Sequence, residues 1–378
     1  MAEPVVEGAA RLNTQHIIKM SPPLDFSIPY DVAWVKDRVI LITGGASGFG
    51  AAFVRKWATN GATVIMGDIN TDGGSKLAAE VNSSVGRTAV YFIHANVLDW
   101  QSMVSFFKKA VELSPTGGID TVVANAGIAN VDPLLTPKNL DAAEPPPPDL
   151  RIAQINYFGV LYTVHLALFW LPRNPTSNRH VDLTTHPTTR GPRDRHILLL
   201  GSMASIGPLA PQPQYTSSKH AVLGLFRALR STCFVSGIRI NMVCPYFIDT
   251  PIVPVAGRIA LAGGATGKVE DVVDAASRFV SDPRVVGRAI VVGPKVKLQQ
   301  NETTGEFQLV QKGAGKDIPE QALWEAYADD WEDTELMSKN FLEILHAIEK
   351  VRGWGGWAYD IVMALRYGVR QAIYGKGK

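Results

Sequence analysis

Cysteine is nearly missing from this chain: Cys233 and Cys244 are the whole complement in 378 residues, with no paired spacing. That excludes a disulfide framework and a thiolate metal site, and both thiols are expected as reduced core residues. Charge of one sign is missing too. Lys plus Arg number 37 against 35 Asp plus Glu, a formal net charge of +2, which offers nothing to a polyanion and excludes nucleic acid as the expected partner. There is no long hydrophobic run, since Gly159 to Leu171 contains His165 and is too short for a bilayer. The N-terminus carries Glu3 and Glu7 where a secretory signal has a basic start and an apolar core, so a cytoplasmic protein is expected. His180, Asp182 and His186 lack a third strong ligand, so they read as a solvated loop and no metal is expected.

What is present is concentrated between Val39 and Asp68. Val39 to Ile42 has the β-branching and length of a central strand, and Ala51 to Asn60 has helical composition. Between them lies a tight turn of Thr43, Gly44, Gly45, Ala46, Ser47, Gly48, Phe49 and Gly50. Glycines there let the backbone bend and approach a pyrophosphate, whose charge the helix N-terminus stabilises. A second strand, Ala62 to Gly67, ends at Asp68. A carboxylate in that place accepts from both hydroxyls of an adenosine ribose and repels a 2′-phosphate, and Ser47 adds no positive charge for such a phosphate. The pattern points to NAD as cofactor, ahead of NADP.

Strands and helices then alternate: a helix near Ser75 to Val81, strand Ala89 to Ile93, a helix near Trp100 to Leu113 and strand Thr121 to Ala124. After a loop from Asp132 to Asp149, with Pro145 to Pro148 as a rigid spacer, comes an apolar helix, Leu150 to Leu171, expected to be buried. Strands His196 to Leu200, Ile238 to Cys244 and Ala289 to Val292 complete the series. Such alternation implies an α/β fold, a doubly wound parallel sheet of the Rossmann type, with the binding crevice beyond the strands' carboxyl ends. Asn96 and the run Asn125, Ala126, Gly127 follow strands three and four and should face that crevice. Asp249 to Gly267, rich in Gly, Pro and Ala, reads as a substrate lid.

Tyr215 and Lys219 lie four apart on one helix face, so an ammonium should stand near a phenol and lower its pKa. Ser202, thirteen residues upstream, can donate to the same substrate oxygen. Together these move a proton while a nicotinamide takes a hydride.

The chain resembles the short-chain dehydrogenase/reductase family over roughly residues 36 to 294, on TGGASGFG at 43 to 50, NAG at 125 to 127, Asn156, Ser202 and YTSSK at 215 to 219. The likeness is nearest to its NAD-dependent prostaglandin-oxidising branch and to fungal secondary-metabolite dehydrogenases with long C-termini. It implies Tyr215 as general acid/base, Lys219 on the nicotinamide ribose, Ser202 on the reacting oxygen and Asn156 placing a water that links Lys219 to solvent. It also implies cofactor contacts from Val97, Pro245, Ile248 and Thr250, a substrate contact from Gln212, and a dimer or tetramer. Three positions depart from the pattern: Ala124 replaces the first Asn of NNAG, Asn96 stands where Asp meets the adenine, and Tyr246 follows Pro245 where Gly is usual. Tyr246 should narrow the space beside the nicotinamide.

The inferred lining, Ile128, Met203, Leu209, Tyr246, Phe247, Ile248, Ile252 and Val253, carries few charges, and a bulky apolar secondary alcohol matches it better than a sugar or a small acid. The leading expectation is NAD-dependent oxidation of such an alcohol. The alternatives are an NADPH-dependent ketone reductase and a nucleotide-fold protein without turnover. The expected organisation is an N-terminal arm over 1–37, a Rossmann domain over 38–294 and a helical extension over 295–378. In that extension ten acidic residues face Lys339 alone between Asp317 and Glu349, and six basic residues face Asp360 alone between Lys350 and Lys378. Ala358, Ile361, Val362, Leu365, Val369, Ala372 and Ile373 recur at helical spacing, led by Trp354 and Trp357. Such a helix suits either a membrane surface or the protein's own body.

Overall fold

Strand β1 (Val39–Thr43) is buried along its whole length, because it runs through the middle of the sheet with helices on both sides. The computed structural model of the protein describes residues 20–130, 132–135, 141–177, 193–248, 250, 266–301, 307–310 and 317–326, with helical positions at 344, 347 and 351. From β1 the chain continues through α1 (Gly48–Thr59), β2 (Thr63–Asp68), α2 (Thr71–Val85), β3 (Val90–His94), α3 (Trp100–Leu113) and β4 (Thr121–Ala124). Helix α4 follows as a turn at Arg151–Ala153, a π-helical Gln154–Phe158 and the α-helical Gly159–Trp170. The remaining elements are β5 (His196–Leu200), α5 (Pro213–Arg230), β6 (Arg239–Pro245), α6 (Val269–Ser281), β7 (Ala289–Val296), β8 (Leu298–Gln300), β9 (Phe307–Leu309) and β10 (Gln321–Ala326).

The main sheet has the order β10-β7-β6-β5-β4-β1-β2-β3. Every pairing from β3 across to β7 is parallel. Side chains alternate between the two sheet faces, as the period of two requires. Ile40, Ile42, Val64 and Met66 pack with Phe53 and Trp57 of α1, Leu77 of α2 and Phe279 of α6. Val39, Leu41 and Ile65 pack with Phe106 and Phe107 of α3, Val164 of α4 and Phe226 of α5. This is the doubly wound α/β sheet expected from the alternation. Its strand order reverses between β1 and β4, which opens a crevice at their carboxyl ends.

Three features differ from expectation. The tail returns to the sheet: β10 pairs antiparallel with β7, and β8 pairs with β9 as a small separate ladder. Glu325 of β10 accepts from the Leu24 backbone N–H at 2.9 Å and lies 3.1 Å from the Arg288 guanidinium, so the tail strand and the arm before β1 are fastened together. The chain divides into a unit spanning Lys19–Ala328 and a second formed by Met1–Ile18 and Asp329–Lys378. The amphipathic run at 358–373 lies outside the described residues.

Helix α4 is the second difference. Over Arg151–Arg173 it is long and apolar enough to cross a bilayer, yet Val160, Val164, Ala167 and Leu171 are core residues against the sheet. It is not wholly buried either, since Phe158 and Phe169 are about half exposed, at 51% and 47%. The third is the arm: residues 1–37 show no clear period and partial order at most is expected of them, yet the described part from Met20 on is bonded to the rest of the fold. Ser21 donates its backbone N–H to the Val286 carbonyl at 3.0 Å, and the Arg288 side chain donates to Pro22 at 3.2 Å.

Candidate active site

The turn between β1 and α1 has the backbone its glycines predict. Gly44 and Gly48 hold φ of +67° and +53°, in the left-handed region. A Cβ on Gly50 would lie 2.1 Å from the Gly44 carbonyl oxygen, so only glycine lets the helix start this close to the strand. At Gly48 nothing stands within 4 Å of such a Cβ, so the turn is open on its outer side. Ser47 is the N-cap of α1 and makes no side-chain capping bond, which leaves the first-turn N–H groups to an outside acceptor. Asp68 ends β2, accepting from Ala46 N at 3.0 Å and from Asn70 N at 2.9 Å. An open glycine turn, an uncapped helix start and a fixed carboxylate at the end of the neighbouring strand fit an adenine dinucleotide.

Thr43 and Asn125 join the two strands at the reversal point. Thr43 Oγ1 accepts from the N–H groups of Asn125 and Ala126 at 3.2 Å each, and Asn125 Nδ2 donates to the carbonyls of Thr43 and Gly44 at 3.0 and 2.8 Å. Phe49 packs partly buried against the core. Asn96 turns its Oδ1 onto Leu98 N at 3.0 Å. Val97 is buried, its Cγ2 2.8 Å from where a Cβ of Gly159 would be, so the close approach of α4 rests on that glycine.

The four proposed catalytic residues meet beyond β4 and β5. Ser202, just after β5, accepts from Ala204 N at 3.1 Å in a capping box. Tyr215, in the first turn of α5, has the Ser202 side chain as the hydrogen-bonding neighbour of its phenol. One helical turn on, the Lys219 ammonium donates to the Leu200 carbonyl at 2.9 Å. Asn156 sits in the π-helical part of α4, fully buried, its amide accepting from Ile128 N at 2.8 Å and donating to Ile128 O at 2.9 Å. Asn156 Oδ1 and Lys219 Nζ lie 3.2 and 3.8 Å from the Cβ position of Gly127, so the pair brackets that glycine.

The electrostatics differ from expectation. Lys219 Nζ stands 5.7 Å from the centre of the Tyr215 ring. Burial pushes the Tyr215 phenol up from its ordinary value, the Ser202 hydrogen bond pulls it down, and Lys219 is not among the causes. The ammonium itself is desolvated and pushed down to about 8. The i, i+4 spacing places the two groups on one face, but Lys219 is spent on a backbone carbonyl. A residue outside the expected set adjoins them: Cys244 of β6 is fully buried, and burial pushes its thiol up to about 12.

The residues expected around the substrate divide in two. Met203 is partly exposed beside Ser202. Gln212 donates to the Asn130 carbonyl at 2.9 Å, and its buried Oε1 has no partner among the described residues. Tyr246 donates its backbone N–H to Val292 O at 2.7 Å, and its ring meets Phe247 edge-on at 4.8 Å. Pro245 ends β6, Ile248 is buried against Gly267, and Thr250 is buried. Ile252, Val253 and most of the expected lid lie outside the described residues, as do His180, Asp182 and His186. Asp132 and Gln214, which composition presents as ordinary loop and helix residues, prove to be joined and buried next to Tyr215.

A family model described as enoyl-(acyl carrier protein) reductase matches residues 44–282. The chain belongs to the short-chain dehydrogenase/reductase family. It is 32% identical over 280 residues to 5′-hydroxyaverantin dehydrogenase of Dothistroma septosporum, covering 70% of this chain and 87% of that one. It is 30% identical over 220 residues to the NAD(+)-named 15-hydroxyprostaglandin dehydrogenase of Mus musculus, covering 58% and 70%. A short-chain dehydrogenase/reductase from Mycobacterium marinum superposes with a TM-score of 0.57 at 25% identity, over 70% of this chain and 96% of that one. The protein is therefore an NAD(P)-dependent oxidoreductase acting on CH–OH groups of a small molecule.

Proposed function

We propose that this enzyme oxidises a bulky, apolar secondary alcohol of polyketide or terpenoid character to a ketone, with NAD as the hydride acceptor and Tyr215 as the general base. The observation that carries this reading is the grouping at the crevice: Lys219 Nζ stands 5.7 Å from the centre of the Tyr215 ring and brackets Gly127 together with Asn156, and Ser202 adjoins the phenol. Ser202 and Tyr215 both reach one substrate oxygen, so they orient the alcohol, and the phenolate form of Tyr215 takes its proton. The bound nicotinamide supplies a single thing, an acceptor for the hydride from the carbinol carbon. Thr43, Gly44, Ser47 to Gly50, Asp68 and Asn125 to Gly127 are the groups that would hold the dinucleotide.

Asp68 supports NAD, because a carboxylate held in place by two backbone N–H groups stands where it repels a ribose phosphate. Ile128, Met203, Leu209, Tyr246 and Phe247 give the apolar substrate its surroundings. The fungal relative named for an averantin derivative supports the same class. The test is a screen of polycyclic secondary alcohols with NAD and NADP, followed by nicotinamide absorbance. Turnover with NAD is expected. Tighter binding of NADPH than of NADH would replace this reading by the ketone reductase, and full activity in Tyr215→Phe would sink the catalytic assignment.

A further inference from the structure

Helix α5 carries Tyr215 and Lys219 but has no cap of its own. Its N-cap residue, Gln212, makes no side-chain capping bond, and its first residue, Pro213, has no N–H. The missing acceptor comes from another segment. Asp132, in the loop that follows β4, is 1% exposed. Its Oδ2 accepts from the backbone N–H of Gln214 at 2.6 Å. Its Oδ1 accepts from Gln214 Nε2 at 2.9 Å and from Leu134 N at 3.0 Å. Gln214 Nε2 also donates to the Asp149 carbonyl at 2.9 Å, just before α4. One carboxylate and one amide thus tie together the loop after β4, the start of α4 and the first turn of α5. The tie is made at the residue preceding Tyr215.

A buried carboxylate is costly unless its oxygens are satisfied, and here they are satisfied by the helix start itself, where the backbone dipoles also favour negative charge. Cutting the tie frees the first turn of α5 without removing any bond made by Asp68 to the glycine turn. The three joined segments carry, respectively, Ile128, Asn156 and Tyr215.

We propose that Asp132, acting through Gln214, is a positioning residue that holds the Tyr215 hydroxyl against Ser202. This rests on the reading of Tyr215 as the general base. It makes no demand on substrate identity, because Asp132 is buried and its oxygens are bonded to Leu134 and Gln214.

The experiment uses the full chain with Asp132→Asn, Asp132→Ala, Gln214→Met and the double change Asp132→Ala/Gln214→Met. NADH fluorescence titration reads cofactor affinity, and kcat and KM are read with whichever alcohol the screen identifies. Tyrosinate absorbance, taken as the difference from the matching Tyr215→Phe protein, reads the phenol directly. NADH affinity should stay within about twofold while kcat falls about tenfold or more, further for Asp132→Ala than for Asp132→Asn. The double change should cost less than the sum of the two single changes, because both break the same Asp132–Gln214 side-chain bond. The phenol titration should move down toward 10.0, since a loosened turn admits water to a group that burial pushes up.

Folded variants that keep the parent kcat and phenol titration overturn the proposal. So does a loss of NADH affinity in step with kcat, which is the mark of general loosening. Should Asp132→Ala fail to fold, Asp132→Asn and Gln214→Met carry the same test. A parent protein that oxidises no alcohol removes the base assignment instead, and the phenol titration then decides for Asp132 alone.

Discussion

Ser202 acts on the Tyr215 phenol as a hydrogen-bonding neighbour that lowers its pKa, opposing the burial that raises it. With Tyr215 as the proposed base, oxidation draws on the phenolate, so its rate should rise with pH as Tyr215 loses its proton. Removing the hydrogen bond removes the influence that lowers the pKa. In Ser202→Ala the pH–rate curve for oxidation should therefore move to higher pH, with the largest loss on its acidic limb. A curve that falls uniformly without moving would show that Ser202 orients substrate and leaves the phenol's acidity alone.

The two glycines of the β1–α1 turn are constrained for different reasons and should fail differently. A Cβ on Gly50 meets backbone at 2.1 Å and Asn125 Nδ2 at 2.8 Å. Gly50→Ala should therefore lower thermal stability along with cofactor binding. A Cβ on Gly48 meets nothing, and the substitution costs only the left-handed strain of a non-glycine residue, about 1–2 kcal/mol. Gly48→Ala should keep a melting temperature within several degrees of the parent and lose most NADH affinity, because the added methyl occupies the open side of the turn. Calorimetry together with fluorescence titration separates the two cases.

Those glycines also mark how much could be read in advance. Strand β1, the turn and Asp68 were legible because each step depends on neighbours within thirty residues. The i, i+4 placement of Tyr215 and Lys219 was legible for the same reason. What the ammonium does was not: its partner, the Leu200 carbonyl, is nineteen positions away, and desolvation depends on the whole fold. The Asp132–Gln214 contact spans 82 positions and leaves no local pattern. Strand β10 was hidden in an acidic tail, where Ala322, Leu323 and Trp324 are too short an apolar run to announce a strand without β7 beside them. The apolar sequence of α4 suggested full burial, but apolar residues on both faces of a helix do not say what covers the outer one.

Asp68 allows a direct test of cofactor choice. Its two oxygens accept from Ala46 N and Asn70 N, which holds the carboxylate at the end of β2, where the proposed NAD preference needs it. Asp68→Ala removes both the acceptors for the ribose hydroxyls and the repulsion. NADH affinity should fall about tenfold or more, the loss of a charge-assisted hydrogen bond, and the preference over NADPH should narrow by at least that factor. An unchanged ratio of the two affinities would place the discrimination elsewhere.

The exposed face of α4 makes a prediction about assembly. Phe158 and Phe169 stand on that face at 51% and 47% exposure. If a second copy covers it, Phe158→Asp and Phe169→Asp should shift the protein to a smaller species in light scattering without altering NADH affinity. A parent protein that is already monomeric at micromolar concentration rules this out.

The amino end of the sheet should govern stability in acid. His196 of β5 is fully buried between Thr121 and Asn241. The Asn241 amide is fixed in orientation, since its Oδ1 accepts from Arg288 N at 3.0 Å and its Nδ2 donates to Val285 O at 2.9 Å. Nδ2 also faces His196 Nε2 at 3.2 Å, so that ring nitrogen must accept and the imidazole must be neutral, with its proton on Nδ1 toward Thr121. Burial and the Arg239 guanidinium hold its pKa well below 6.5, against the smaller opposing pull of Asp194. Below pH 6.5 the unfolded chain takes up a proton that the folded chain refuses, so stability is present above that pH and is lost as pH falls. The loss is at most about 1.4 kcal/mol per pH unit. The nearby Asp120, raised by burial, titrates in the opposite sense and blurs the absolute curve. The informative quantity is the difference between the parent and His196→Gln, whose amide can keep an acceptor toward Asn241 but takes up no proton. Unfolding free energies measured by denaturant from pH 7.5 down to 5 should diverge below about pH 6.5, with the parent falling faster. Parallel curves would mean that His196 is protonated in the folded protein and that the neutral tautomer assigned here is wrong.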